Sequence, residues 1–257
     1  MHPQHHTDRE WEKWGKSDPY YGVVSWPQFR QSAINEQSRQ DFFLTGQRHV
    51  DHVIEALRTH LRPSFAPTRI LDYGCGVGRL VVPFAQRFQH VTGVDVSEAM
   101  LSEARANAKR AEIENVQYFH TDQFEMEASK SFDLIHSFIV FQHIRPNRGE
   151  AILRRLLQLL EPEGLGAIHI TFSKDISRLH SAVSEVRKRS TAVHRTMNLL
   201  YKRPFKDPSM EMNMYSLNHI FTILFKAGCG SIYTEFSRHN NANGLMLYFE
   251  KIQLPLL

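Results

Sequence analysis

The sequence predicts an α/β fold: a doubly wound, mostly parallel seven-stranded sheet, helices on both faces, closed by an antiparallel terminal hairpin. Three observations carry that expectation. From residue 69 onward, short apolar runs alternate with amphipathic segments, the pattern of a parallel sheet covered on both sides. The first run, Ile70-Leu71-Asp72, leads into Tyr73-Gly74-Cys75-Gly76-Val77-Gly78, an acid followed by three glycines at alternate positions. That reads as a buried strand ending in a turn where backbone must lie close to a ligand. The last two runs are joined through Arg238 to Gly244, a connection containing Asn243-Gly244, which favours a hairpin.

Residues 1–46 read as an aromatic-rich N-terminal extension, or lid, that holds all three tryptophans (Trp11, Trp14 and Trp26) with Tyr20, Tyr21 and Phe29. The main domain is set at 47–257. Val50, Val53, Ile54, Leu57 and Leu61 share one helical face, so a helix is expected from Arg48 to Leu61. Pro63 and Pro67 mark the loop that follows. Strands are expected at 69–73, 91–95, 116–120, 132–138 and 165–172, with helices at 78–88, 97–111 and 147–160. Asn147 and Glu150 resemble a capping box for the last of these. A helix at 217–227, stopped by Gly228, precedes strands at 231–237 and 245–251.

Between residues 173 and 215 lies an insertion in which Ile176, Leu179, Val183, Val186, Val193, Met197 and Leu200 recur at helical spacing. One long amphipathic helix with its basic residues off the stripe is expected there. From Ser173 to Asp207 nine Lys or Arg face three acids, a net +6, so the rest of the chain carries −2 of the total +4. Attraction for anions is therefore concentrated in one segment.

The chain has 257 residues, 42% of them hydrophobic, enough for one core domain with insertions. No 18-residue apolar stretch occurs and the start has no apolar signal region, so neither a membrane span nor secretion is expected. Two cysteines, Cys75 and Cys229, are too few for a disulfide framework; reduced thiols in the cytoplasm are the default. His2, His5 and His6 have no second cluster to complete a metal shell, so no metal site is expected.

The glycine spacing argues against a nicotinamide dinucleotide. G-x-G-x-x-G would need a glycine where Arg79 stands or a shifted frame, and Val77 and Arg79 flank the third glycine instead. A second strand, Val91-Thr92-Gly93-Val94-Asp95, again ends in an acid. Asp72 to Gly78 together with Asp95 resemble the class I S-adenosylmethionine-dependent methyltransferases of the bacterial small-molecule type, over roughly residues 65 to 252. The resemblance implies a Rossmann-like fold, S-adenosyl-L-methionine as cofactor and methyl transfer as the activity. It implies Asp72 at the amino-acid end of the cofactor and Gly74, Cys75, Gly76 and Gly78 as the turn lying against it. Asp95, followed by Val96, would accept from the ribose hydroxyls, and Met100 would flank the adenine. Asp122 with Gln123 would receive the adenine amino group, and Ser137 would lie under the methionine portion.

Methyl transfer is displacement at an activated carbon, so alignment matters more than acid–base chemistry. A base is required only for a protonated acceptor such as an alcohol. His143, after the fourth strand, is the candidate catalytic base; alternatively it orders the turn before Pro146 or touches the cofactor. His136, inside the strand, reads as structural. Tyr20 and Tyr21 in the lid, Gln142 beside His143, and Met214 and Tyr215 before the helix at 217 are the candidate acceptor-binding residues; the alternative for each is packing. Three functions stay open: methylation of oxygen or nitrogen on a small molecule, for which the basic insertion suggests an anionic group; methylation of RNA or protein; and cofactor binding without turnover. Against RNA, the basic residues lack interleaved aromatics. The aromatic extension also offers a surface for docking on a neighbouring subunit in an oligomer.

Overall fold

The computed structural model describes residues 5–126, 131–175, 204–205, 207–239 and 241–252. The apolar stripe expected between Ile176 and Leu200 lies outside the described residues. Two helices, α1 (His6–Ser17) and α2 (Pro19–Val23), begin the fold, followed by a 3-10 turn at Pro27–Phe29 and the long helix α3 (Glu36–His60). Then come β1 (Arg69–Tyr73), α4 (Val81–Ala85), β2 (His90–Asp95), α5 (Glu98–Arg110), β3 (Val116–His120) and α6 (Thr121–Met126). Next are β4 (Phe132–Ser137), a 3-10 turn at Phe141–His143, α7 (Pro146–Leu159) and β5 (Leu160–Lys174). Helix α8 (Leu217–Lys226) and the hairpin β6 (Cys229–His239) and β7 (Ala242–Lys251) complete the described elements.

The seven strands order as β3-β2-β1-β4-β5-β7-β6. β1 pairs in parallel with β2 and β4, while β7 is antiparallel to both β5 and β6. The chain first winds outward from β1 to β3, then returns to place β4 on the other side of β1. The strand order reverses there, and a crevice opens at the carboxyl ends of β1 and β4.

Alternation along each strand divides the core. Ile70, Val91, Leu134 and Leu165 pack with Val50, Val53, Leu57 and Phe84 on the α3–α4 face. Their neighbours Leu71, Ile135 and Ile168 pack with Leu153, Leu156 and Ile220 on the α7–α8 face. A third cluster joins the extension to the sheet: Trp14, Tyr20, Phe29 and Phe42 enclose Val77 and Met100.

Three local expectations need correction. Helix α3 starts at Glu36, twelve residues before the expected Arg48, because Asn35 and Ser38 form the reciprocal capping box and Phe42 continues the buried stripe. Asn147 caps nothing: α7 begins at Pro146 with Arg145 as its cap residue and no side-chain cap bond. Proline at the first position, already lacking the N–H, removes the need for one. Asn243-Gly244 is not the hairpin turn but lies paired inside β7, opposite Arg238 and Ser237. A side chain at Gly244 would meet the His169 ring at 2.6 Å, so that glycine serves close packing.

Gly46, mid-helix in α3, has a similar reason: a Cβ there would come within 2.2 Å of the Arg79 carbonyl oxygen. Glycine to alanine in a helix interior ordinarily gains about 1 kcal/mol, but here the obstacle is backbone. Gly46→Ala should therefore destabilise the fold by about 1–3 kcal/mol in urea denaturation; a gain in stability would contradict this packing.

Candidate active site

The turn after β1 is built for glycine. Gly74, Gly76 and Gly78 have φ of +78°, +53° and +82°, values that side-chain-bearing residues rarely adopt. The N–H groups of Gly74 and Cys75 both donate to the Val94 carbonyl, at 2.7 and 3.0 Å, which ties the turn to β2. Asp95, at the end of that strand, is buried. Its Oδ2 accepts from the Gly76 N–H at 2.8 Å and its Oδ1 from the Ser97 N–H at 2.9 Å. Burial raises its carboxyl to about 6, although the Ser97, Gly76 and Val96 N–H groups oppose the rise.

Asp72 is held from behind the sheet. Its Oδ1 accepts from His136 Nδ1 at 2.8 Å, and His136 Nε2 lies 3.0 Å from Nε2 of His49 on α3. With the His136 Nδ1 proton given to the carboxylate, His136 Nε2 accepts from His49 Nε2–H. Burial, followed by the neighbouring His136, drives the His49 pKa well below its ordinary value. The chain Asp72–His136–His49 thus runs from the turn into the interior.

A cavity, partly open to solvent, sits at the carboxyl ends of β1, β2 and β4. Asp72, Gly74, Cys75, Gly76, Asp95, Val96, Met100 and His143 all line it. The other sequence candidates lie off the lining. Gly78 backs onto the Tyr118 hydroxyl, and the Ser137 hydroxyl donates to the Tyr73 carbonyl at 2.8 Å. Asp122 and Gln123 are exposed, beside the lining residue Thr121. The Tyr20 hydroxyl lies 2.7 Å from Glu103 Oε1 and 2.8 Å from Asn107 Oδ1, both on α5. Tyr21 lies under the Arg30 guanidinium at 3.3 Å. Gln142 is buried between Thr171 and His143. Met214 is exposed, and the buried Tyr215 shares its hydroxyl between the Phe141 and Ile144 carbonyls, at 3.0 and 2.8 Å.

His143 keeps both ring nitrogens engaged. Nδ1 donates to the Glu211 carbonyl at 2.7 Å, so Nε2 accepts from the Gln142 amide at 3.1 Å. Burial lowers its pKa to about 4, the Glu211 bond acting the other way. A neutral imidazole with its lone pair filled is a weak base at pH 7.

The extension roofs the cavity. Thr7, Asp8 and Trp11 of α1 line it, as do Gly22 and Val23 of α2. Asp8 pairs with Arg148 of α7 at 2.6 Å, and the Trp11 ring stands edge-on to His143 with centroids 4.9 Å apart. Glu12 Oε2 accepts from the Ser97 hydroxyl at 2.8 Å and the Ala99 N–H at 3.2 Å, a carboxylate at the start of α5 where the helix dipole favours it. Residues 207–215 join this roof. Arg30 grips Asp207 through two nitrogens, at 3.0 and 2.7 Å, and Glu10 accepts from the Ser209 N–H at 2.7 Å.

Arg79, Phe138, Ile139, Val140 and Arg148 also line the cavity and were not among the sequence candidates. Ile139 sits in the left-handed backbone region with a φ of +59°. A β-branched residue held there stores about 1–3 kcal/mol of strain. Among the described residues no group of three or more His, Cys, Asp or Glu could hold a metal, and no helix is long and apolar enough to cross a membrane.

Residues 70–164 match a family model described as a methyltransferase domain. The ubiquinone biosynthesis O-methyltransferase of Ruegeria pomeroyi is 36% identical over 102 residues, 39% of this chain and 40% of that protein. A tRNA1(Val) (adenine(37)-N6)-methyltransferase of Vibrio cholerae is 33% identical over 122 residues, 40% of this chain and 51% of that protein. The chain thus spans about half the length of the curated relatives it matches. Among solved structures, the magnesium protoporphyrin IX methyltransferase of Synechocystis, crystallised with S-adenosylhomocysteine, aligns over 93% of this chain and 97% of its own. The TM-score is 0.59 and the identity 21%, a likeness of fold.

Glu12→Ala should free α1 from α5 while the sheet stays folded. Tryptic cleavage after Lys13 and Lys16 should accelerate about tenfold, equivalent to about 1.4 kcal/mol of lost docking. An unchanged digestion rate would show that α1 is held by its other contacts.

Proposed function

We propose that this chain, whose residues 70–164 match a methyltransferase domain, is a class I S-adenosylmethionine-dependent methyltransferase that moves the cofactor's methyl group to an oxygen or nitrogen of a small-molecule acceptor. Asp95 carries the reading. Its two oxygens are steadied by backbone N–H groups, and the carboxylate keeps accepting capacity for a further donor. Two such acceptors side by side suit the adjacent hydroxyls of a ribose. Asp72, held by His136, supplies charge for an ammonium, and the open glycine backbone at 74 and 76 lets a ligand approach. The residues present therefore fit the cofactor, with Cys75, Val96 and Met100 filling the wall between the two acids. Gly78 and Ser137 act from behind by shaping the turn and joining β4 to β1, and Asp122 and Gln123 stand at the adenine rim.

When bound, S-adenosylmethionine supplies a methyl group on a sulfonium that is already activated for displacement. The chain's own contribution is alignment and exclusion of water, the former worth about 7–11 kcal/mol when geometry is good. Trp11 and Val23 close the roof, and His143 forms the wall facing it. With its lone pair filled by Gln142, His143 positions the 141–144 turn and does not take the acceptor's proton. Tyr215 supports the same turn from below. The roof favours a small acceptor over an RNA strand, which needs an open cleft. The name of the Ruegeria relative supports oxygen as the acceptor atom; that of the Vibrio relative, an adenine N6-methyltransferase, supports nitrogen.

Calorimetric titration with S-adenosylhomocysteine should show binding, and release of that product on a panel of phenols, amines and carboxylic acids should identify the acceptor. No affinity for either cofactor form would remove the proposal. Affinity should also fall as pH drops through about 6, where buried Asp95 takes up a proton and loses an acceptor site. Because only the ionised form offers both lone pairs, the loss between pH 7 and pH 5 should be about tenfold. Asp95→Asn should bind weakly with a flat profile over that range.

A further inference from the structure

We propose that Arg79 is the anion-binding residue of this cavity, its guanidinium receiving a carboxylate brought either by the amino-acid end of the cofactor or by an acidic acceptor. The inference rests on the methyltransferase reading only for the identity of those two sources. Arg79 directly follows the third glycine, is 9% exposed and lines the cavity. Among the described residues no carboxylate lies within ion-pair distance of it, and its solvent-shielded Nε has no hydrogen-bond partner. Its direct contacts are neutral: Nη1 lies 3.4 Å from the Thr45 hydroxyl, and the guanidinium carbon 5.9 Å from the centre of the Phe138 ring. Gly46 of α3 presses against its main chain, so the side chain starts from a fixed point.

An uncompensated charge in such a position is costly, and natural folds keep one where a ligand completes it. Burial lowers the Arg79 pKa to about 10, the charge of Asp72 acting in the opposite direction; the group remains a cation at neutral pH. The other guanidinium on the lining, that of Arg148, is engaged by Asp8. Asp72 is engaged by His136, and His49 is held neutral. One acid and one guanidinium thus stand on the same wall without pairing to each other. The planar fork of arginine matches a carboxylate through two parallel N–H···O bonds. An α-amino acid head group would satisfy both residues at once, whereas an acidic acceptor would satisfy Arg79 alone.

Two arms separate the sources. Calorimetry compares S-adenosylhomocysteine with its analogue lacking the carboxylate, on wild type and Arg79→Met, with folding of the variant checked by thermal denaturation. If the cofactor brings the carboxylate, Arg79→Met weakens S-adenosylhomocysteine by on the order of 10- to 100-fold and leaves the analogue unchanged. If the acceptor brings it, Arg79→Met binds S-adenosylhomocysteine normally. Benzoate, used as a plain carboxylate probe, then raises the melting temperature of the wild type saturated with S-adenosylhomocysteine and does not raise that of the variant. The inference is overturned if affinities stay within about twofold across the variant and benzoate shifts both proteins equally or neither. Should Arg79→Met fail to fold, the wild type alone decides. Equal affinity for S-adenosylhomocysteine and its decarboxylated analogue, with no response to benzoate, also overturns it. A wild type that binds no S-adenosylhomocysteine defeats the methyltransferase reading separately, because benzoate on the ligand-free protein still reads Arg79.

Discussion

The site depends on how β2 holds the turn that follows β1. The parallel register sets Tyr73 beside Val94, and the Val94 carbonyl then takes the N–H groups of both Gly74 and Cys75. One residue later Asp95 captures the Gly76 N–H with one oxygen and the Ser97 N–H with the other. A carboxylate that bridges the glycine turn and the start of α5 fixes three pieces of backbone around one point. The burial of that acid would not persist without the bridge, since an unpaired buried carboxylate is unfavourable. The cavity is what remains open when these constraints are met together.

Around that frame the charges are distributed with economy. Asp72 accepts a hydrogen bond from a chain of imidazoles leading into α3, and Asp95 accepts from backbone donors. Acids on α1 do the opposite work, fastening the extension to α5, α7 and the 207–215 segment. The aromatic extension is therefore an integral wall of the site. Trp14, Tyr20 and Phe29 give it an apolar base on Phe42, Val77 and Met100, leaving Trp11 and Val23 for the roof.

Much of this was legible in the chain itself, and the failures are instructive. The strands at 69–73 and 116–120 coincide with their expected bounds because apolar runs and flanking breakers coincide. Helix α3 begins at Glu36, about three turns before the expected start at Arg48, and within those turns Gly46 is kept for its contact with the Arg79 backbone rather than for a break. Asn243-Gly244 misled in the same way, a pair that signals a turn in isolation but here makes room for the His169 ring. At the site, Gly74, Cys75 and Gly76 and Asp95 with its neighbour line the cavity, whereas Gly78 lies behind the turn and Tyr20, Gln142 and Tyr215 hydrogen-bond toward α5, His143 and the 141–144 turn.

The sequence by itself determined the sheet, its doubly wound path and the acid–glycine turn, because these arise from short-range periodicity and from backbone angles that only glycine accepts. Tertiary structure alone decided that α1 roofs the cavity, that His143 has no free lone pair, and that Arg79 stands buried without a countercharge among the described residues. Each of those facts joins residues tens to two hundred positions apart, such as Glu10 with Ser209 or Arg79 with Thr45 and Phe138. Contacts of that kind leave no local pattern; they exist only once folding has brought the partners into a shared, water-poor space.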